Sequence, residues 1–398
     1  MPSPLIVYTP PADGSPCGVA DYARAIAETF GEAVSQVPVR LPLERCPRNR
    51  LLKIWRLRRA ARLAALNLPP GSPVHVQYTD FAWNGTRLYE DAYEVFTRFV
   101  RRPLMATLHE HPLFRFFPNP VHPQTLADSV FARLAGLEGG LRTASLETIV
   151  LNRHTLLHVH HRWQYHRLVS AGVNPSILRV WPLPVPSFVR GNGSAGRLFR
   201  QRFGGKTCRL LAMVGFIFDR KQYERALAIL ANLPPDTILC AIGGTQGGGS
   251  ERYLEQLRDQ ARREGVADRF VVTGWLPEPD FHEILAEMDL VLAPYGEVSS
   301  SASLAWAMAV GAPIVAHDTS SFREICEDGG GLELVDTTSP SAFTGAVRRV
   351  LEDSGYSRSL RERNRNYASR YSWTAFGNVL RAWYAEVHPT PCRDSPQR

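Results

Sequence analysis

RLLAMVGFIFDRKQYERALAIL, Arg209 to Leu230, is the segment from which the architecture of this chain can be read. Its apolar run up to Gly215 does not alternate with polar residues, as expected of a strand buried on both faces of a parallel sheet. The glycine ends the strand, a short loop brings Arg220 and Lys221 to the carboxyl edge, and a helix starts near Tyr223. A buried strand, a turn and a helix make half of a βαβ unit, the building block of α/β folds. Two cations at that edge suit a diphosphate and can stabilise it as it leaves. Two solvated loop charges are the plain structural alternative, although Lys53, Lys206 and Lys221 are the only lysines in the chain.

The same strand-then-helix rhythm extends in both directions. From Arg209 onward the strands read as Leu210 to Phe216, Thr237 to Ile242, Phe270 to Trp275, Leu290 to Pro294, Pro313 to Ala316 and Leu332 to Val335. Before it they read as Leu5 to Thr9, Val34 to Val39, Val74 to Tyr78, Leu104 to His109, Thr148 to Leu151 and Leu178 to Leu183. Between the two series lies GNGSAG followed by RLFRQRFGGK, a glycine- and serine-bearing stretch suited to a linker. The expected organisation is a Rossmann-like domain over 1–187, a linker over 188–207, and a second Rossmann-like domain over 208–371. An apolar helix from Trp373 to Val387, within a closing segment 372–398, is expected to cross back to the first domain. Open parallel sheets bind ligands outside the carboxyl ends of their strands, so two facing sheets would place the site in a cleft between domains.

PYGEVSSSASLAWAMAVGAPIV, Pro294 to Val315, is the second informative segment. A strand ends at Pro294, small residues follow, and a helix runs from about Leu304 until Gly311 and Pro313 stop it. The amides around Ser301, Ala302, Ser303 and Leu304 at that helix start form a candidate anion site; an ordinary serine-rich N-cap is the structural alternative. In TLHEH, Thr107 to His111, His109 stands at a strand end, where it can donate a hydrogen bond to a charged ligand. In SPCGVADYARAI, Ser15 to Ile26, Gly18 precedes a helix read from Val19 and would let a ligand lie against the backbone.

Taken together, these segments resemble the retaining nucleotide-sugar glycosyltransferases of family four (glycosyl transferases group 1), whose GT-B fold sets two Rossmann-like domains facing across a cleft. CGVADYA is similar to the family's N-terminal glycine loop, and HVQY, His75 to Tyr78, to its third-strand signature. TLHE places the family's active-site histidine at His109. GFIFDRKQ puts Lys221 six residues after the strand-end Gly215, the family's spacing for the lysine that binds the donor diphosphate. Thr273 to Tyr295 looks like the nucleotide-side strand, helix and strand. The resemblance implies His109, Lys221 and Arg220 as catalytic residues, and Gly18, Gly215, Gly243, Glu297, Ser301, Ala302, Ser303 and Leu304 as donor-binding. It implies a nucleotide sugar donor, a sugar, lipid-linked or small-molecule acceptor, and retention of configuration. One departure stands out: the two glutamates that the family spaces before its Ala-Met-Ala helix are here Val298 and Trp306, with Glu297 one position off. That leaves the ribose contact open and motivates a competing reading, a nucleotide-sugar binding protein without catalysis. Another enzyme on the same fold, such as an epimerase or a phosphorylase, also fits fold-level reasoning.

Composition narrows the remaining classes. The chain has 398 residues, 46 Lys and Arg, 38 Asp and Glu, and a hydrophobic fraction of 44%, enough for two ordinary cores and too apolar for disorder. Residues 1–190 hold 22 basic and 13 acidic side chains, whereas 191–398 hold 24 and 25, so the net charge of +8 sits in the first half. Eight cations lie between Arg45 and Arg62 without an intervening acid. LLKIWRLRRAARLAAL mixes these with apolar residues, an amphipathic basic pattern suited to an anionic membrane surface or an acidic acceptor through Arg56, Arg58, Arg59 and Arg62. No recognition motif accompanies the segment, which argues against nucleic acid. The six cysteines are scattered, no Asp-x-Asp occurs, and no secretory leader or spanning apolar run is visible. The expectation is a cytoplasmic, metal-independent enzyme without a cofactor. NRHTLLHVHHRWQYHR, Asn152 to Arg167, holds five histidines. The four-residue spacing of His154 and His158 would suit a metal on a helix, but no HExxH or carboxylate pattern accompanies it, so a cleft wall or surface is the reading taken.

Overall fold

The computed structural model describes residues 3–11, 17–42, 50–79, 83, 92–109, 148–188, 191–203, 205–296, 298, 300–335 and 340–387. The chain divides into two compact units, Met1–Pro182 with Thr374–Arg398, and Leu183–Trp373.

In the first unit the elements run β1 (Leu5–Tyr8), α1 (Gly18–Phe30), β2 (Ser35–Pro38), α2 (Arg50–Leu66), β3 (Val74–Tyr78), α3 (Ala92–Phe99), β4 (Leu104–Leu108), β5 (Leu156–Val159), α4 (Arg162–Ser170) and β6 (Leu178–Val180). The strands form one parallel sheet in the order β2-β1-β3-β4-β5-β6. Strands β3, β4 and β5 are buried along their whole length, which is why their sequences lack the alternation of a half-exposed sheet.

The second unit runs α5 (Ser194–Arg202), β7 (Arg209–Val214), α6 (Tyr223–Ala231), β8 (Thr237–Ile242), α7 (Gly248–Arg263), β9 (Phe270–Val272), α8 (Glu278–Ala286), β10 (Leu290–Ala293), α9 (Ala302–Ala309), β11 (Ile314–His317), α10 (Ser320–Glu327), β12 (Leu332–Val335), α11 (Pro340–Glu352) and α12 (Ser354–Arg370). Its sheet, also parallel, has the order β12-β11-β10-β7-β8-β9. The chain leaves β7 toward β8 and β9, then returns to the other side of β7 with β10. This reversal between β7 and β10 is the place where doubly wound sheets open a crevice for ligands.

The last helix, α13 (Trp373–Val387), packs with the first unit from Thr374 onward. Phe376, Leu380, Trp383, Tyr384 and Val387 form its buried side.

One strand departs from the sequence reading. Residues 148–151, expected as a strand, are helical, and the strand is Leu156–Val159, inside the histidine-rich segment. TIVL and LLHV are two apolar runs five residues apart, and periodicity cannot choose between short runs of this kind. The choice falls to the run whose histidines find acceptors inside the sheet.

Candidate functional site

Three segments far apart in sequence, around Gly215 to Lys221, Gly243 and Ser303, meet at the reversal of the second sheet. Gly215 follows β7 with φ +90°, and a Cβ there would lie 2.9 Å from Ser303 Oγ and 3.0 Å from Lys221 Nζ. Gly243 follows β8 with φ +143°, and a Cβ there would approach Gly215 O to 2.2 Å. Both positions therefore admit glycine alone, for conformation and for space. Lys221 closes a short 3₁₀ turn over Asp219–Lys221, and Gln222 at φ +56° reverses the chain into α6. It is the single non-glycine residue with positive φ among the described residues, and such a conformation costs on the order of 1 kcal/mol.

The Lys221 ammonium donates to Val214 O and, at 2.6 Å, to Ser303 Oγ. Burial, with the nearby Arg220 charge as the smaller cause, lowers the Lys221 pKa to about 7. A lysine in this state gains its full charge when an anion arrives. Arg220 is exposed, with its guanidinium 5.2 Å above the Phe218 ring. The structure thus separates the expected cation pair into a partly buried lysine and an arginine at the rim.

Helix α9 begins beside this lysine, two residues before the start read from sequence. Ser301 is its N-cap: its hydroxyl accepts from Leu304 N at 3.3 Å and pairs with Tyr295 OH at 2.8 Å. Leu304 N also donates to Ser301 O at 3.1 Å, so the expected Leu304 amide is taken up by the cap. The amides of Ala302 and Ser303 are first-turn donors, which have no acceptor within a helix. Trp306, at the position of the family's glutamate, turns to α8, with ring centroids 4.5 Å from His282 and 5.6 Å from Phe281. Glu297 lies outside the described residues.

In the first unit His109 directly follows β4. Its Nε2 lies 3.0 Å from the Gln77 amide, its Nδ1 3.5 Å from His160 Nε2, and the Tyr22 ring packs edge-on at 4.6 Å. Tyr22 is carried by α1, whose first residue, Gly18, has open space where a Cβ would stand. Burial, and secondarily His158, lowers the His109 pKa to about 3, so the ring is neutral rather than a cation for a diphosphate.

Four of the five histidines in the histidine-rich segment are core, in place of the expected cleft wall or surface, whereas His166 is exposed as that reading expects. His154, His158, His160 and His161 are buried, and His158 lies on a strand instead of a helix. Tyr93 OH lies 2.7 Å from His154 Nε2, and Trp181 O lies 2.8 Å from His158 Nε2. The sequence signal for this core was alternation at strand ends: His75-Val76-Gln77, Thr107-Leu108-His109 and His158-Val159-His160. Of these, His109 alone was singled out as a site residue.

The basic segment divides likewise. Residues 45–49 lie outside the described residues. On α2, Leu57, Ala61 and Ala65 form the buried stripe, spaced by one helical turn. Arg58 is 3.3 Å from the buried Glu94 carboxylate and so serves the packing of α2 on α3. Arg56, Arg59 and Arg62 are exposed, Arg59 5.2 Å over the Trp55 ring and Arg62 4.8 Å over the Phe99 ring, and Trp55, Leu63 and Leu66 are exposed apolar side chains of the same helix.

Comparison with known proteins places this geometry in a class. Sucrose-phosphate synthase of Thermosynechococcus elongatus superposes with a TM-score of 0.71 at 15% identity, covering 97% of this chain and 99% of that one. HepE of Anabaena, solved in complex with UDP-glucose, gives 0.69 at 16% identity, covering 96% and 99%. The fold is GT-B, two Rossmann-like units with a six-stranded parallel sheet each.

Residues 198–370, nearly all of the second unit, match the family model described as glycosyl transferases group 1. The D-inositol 3-phosphate glycosyltransferase of Corynebacterium jeikeium (strain K411) is 29% identical over 217 residues, 54% of this chain and 48% of that protein. The chain spans about half the length of the curated relatives it matches.

Proposed function

We propose that the chain is a retaining glycosyltransferase that moves a sugar from a nucleotide diphosphate sugar to a sugar or inositol-type hydroxyl, without a metal ion or a cofactor. One observation carries this reading: within the matched domain, Lys221 Nζ and Ser303 Oγ meet over Gly215 at the sheet reversal, 82 residues apart in sequence. A cation, a hydroxyl and the first amides of a helix around a glycine floor form a cradle for a diphosphate. As the bond from the sugar to the diphosphate breaks, negative charge grows on the departing oxygen. Lys221, the amides of Ala302 and Ser303, and Arg220 at the rim stabilise that charge more than they stabilise the intact donor, which lowers the barrier. His109, neutral, serves as an uncharged hydrogen-bonding partner of the sugar. The UDP-glucose bound to HepE and the inositol phosphate in the name of the curated relative favour these classes of donor and acceptor.

A thermal-shift screen against UDP-, GDP-, ADP- and TDP-sugars selects the donor, and release of nucleoside diphosphate then reports turnover. Lys221→Ala is expected to lower turnover by about 100-fold or more, EDTA to leave it unchanged, and proton NMR to show the product in the donor's anomeric configuration. Binding without turnover across acceptors would instead favour the non-catalytic reading.

The exposed group of Arg56, Arg59, Trp55, Leu63 and Leu66 supports a second role, contact with an anionic membrane surface where a lipid-linked acceptor resides.

A further inference from the structure

Strands β3, β4 and β5 are neighbours, and each carries a polar–apolar–polar triplet at its carboxyl end. Residues i and i+2 of a strand share a face. The register sets Gln77, Thr107 and His158 level, with His75 level with Met105, so the polar groups make two rows slanted across the sheet, an inner one of His75, Thr107 and His158, and an outer one of Gln77, His109 and His160. The inner row is continuous. Tyr384 OH lies 2.8 Å from His75 Nδ1, His75 Nε2 lies 2.9 Å from Thr107 Oγ1, Thr107 Oγ1 lies 3.1 Å from His158 Nδ1, and His158 Nε2 lies 2.8 Å from Trp181 O.

The last atom gives the row a direction. A carbonyl oxygen only accepts, so His158 Nε2 carries a proton. Burial lowers the pKa of His158 to about 4 and that of His75 to about 3, so each ring holds one proton. His158 Nδ1 is then a lone pair, and the Thr107 hydroxyl donates to it. The Thr107 oxygen accepts from His75 Nε2–H, and His75 Nδ1 accepts from the Tyr384 hydroxyl. The same Trp181 oxygen lies 3.4 Å from His160 Nδ1, which therefore also carries its proton. His160 Nε2 is left to accept from His109 Nδ1–H, and His109 Nε2 becomes a lone pair facing the Gln77 amide. The amide atom placed at this 3.0 Å is Gln77 Oε1, and the amide nitrogen has no partner among the described residues; the proton order set by Trp181 O requires the reverse amide orientation, with the NH2 donating to His109 Nε2.

We propose that Gln77 and His160 are positioning residues of His109, and that the Trp181 carbonyl, which ends the row from Tyr384 and accepts from both His158 and His160, sets its tautomer, with the proton on Nδ1 and the lone pair on Nε2. His109 then meets a ligand as an acceptor for a sugar hydroxyl, which takes the place of the Gln77 amide. The role in transfer rests on the function proposed above; the tautomer does not.

The test is long-range 15N–1H NMR on histidine-labelled full-length protein at pH 7, joined to donor turnover. His75 and His158 are expected as Nε2–H, and His109 and His160 as Nδ1–H. Thr107→Val removes the central hydroxyl. It is expected to release the tautomer of His75, whose Nε2–H loses its acceptor, while Trp181 O holds His158 as Nε2–H, and to lower kcat by about tenfold, the worth of one hydrogen bond, at unchanged donor KM. Thr107→Ser, which keeps the hydroxyl, is expected to restore both readouts. Tyr384→Phe repeats the test from the other end of the row if the valine variant does not fold. His109 as Nε2–H in the parent, or Thr107→Val and Tyr384→Phe with parental tautomers and kcat, overturns the proposal. A parent without turnover, or Lys221→Ala with undiminished turnover, defeats the transferase reading alone, because the tautomers are read independently.

Discussion

Lys221 shows how a residue type acquires chemistry from its setting. In water a lysine binds its proton until about pH 10.4; here burial brings the folded value to about 7. Between these values the unfolded chain binds more protons than the folded one, so the ligand-free protein gains stability through this group as pH rises from about 7 toward 10. A bound diphosphate restores the charge, and binding of UDP near pH 8 is expected to take up a proton. Calorimetry in Tris and in phosphate would show this as a buffer-dependent enthalpy that disappears in Lys221→Met. Equal enthalpies in the two buffers for the parent would remove the poised lysine from the account.

Among the helices, α2 carries the clearest conflict between a sequence pattern and its use. Eight cations without an acid read as one basic surface, yet Arg58 is spent on Glu94. Glu94 is 6% exposed and also receives Arg98 at 2.5 Å and Arg153 at 3.3 Å, so part of the cationic excess neutralises a buried carboxylate. The surface left for an external partner is Arg56, Arg59 and Arg62 with three exposed apolar residues of the same helix. Arg56→Gln with Arg59→Gln is therefore expected to reduce pelleting with anionic vesicles by at least severalfold and to leave the melting temperature unchanged, since exposed charges contribute little to stability. Pelleting equal to that of the parent would withdraw the membrane contact.

Helix α13 is last in sequence but belongs to the first core. Phe376 and Trp383 each lie 5.2 Å from the His158 ring, while Tyr384 bonds His75. The first unit therefore depends on histidines that are kept dry and neutral. Burial lowers His75 and His109 to about 3, and His154 and His158 to about 4. For groups depressed on folding, the stabilisation is complete above the unfolded value near 6.5 and is lost as pH falls toward the folded values. In Lys221→Met, which removes the lysine's own pH dependence, urea midpoints are expected to be flat from pH 8 to 7 and to drop between pH 6.5 and 5, before most carboxylates titrate. The slope is about 1.4 kcal/mol per pH unit for each histidine that stays neutral. An unchanged midpoint at pH 5 would mean that these rings are hydrated.

The sequence by itself determined the parallel two-sheet architecture, because strands buried on both faces must be apolar throughout and their helices must follow. It also determined Gly215 and Lys221, since a glycine at a strand end and a cation six residues on are local features. Local sequence could not choose between TIVL and LLHV for the fifth strand, divide the arginines of α2 between packing and surface, or show that Leu304 N is consumed by its cap. It could not show that His75, Thr107 and His158 join one row. Those outcomes depend on which atoms arrive from elsewhere in the chain: Glu94, Ser301, Trp181 O and Tyr384. A buried polar group is tolerated only where a distant partner meets it, and only the tertiary structure supplies that partner.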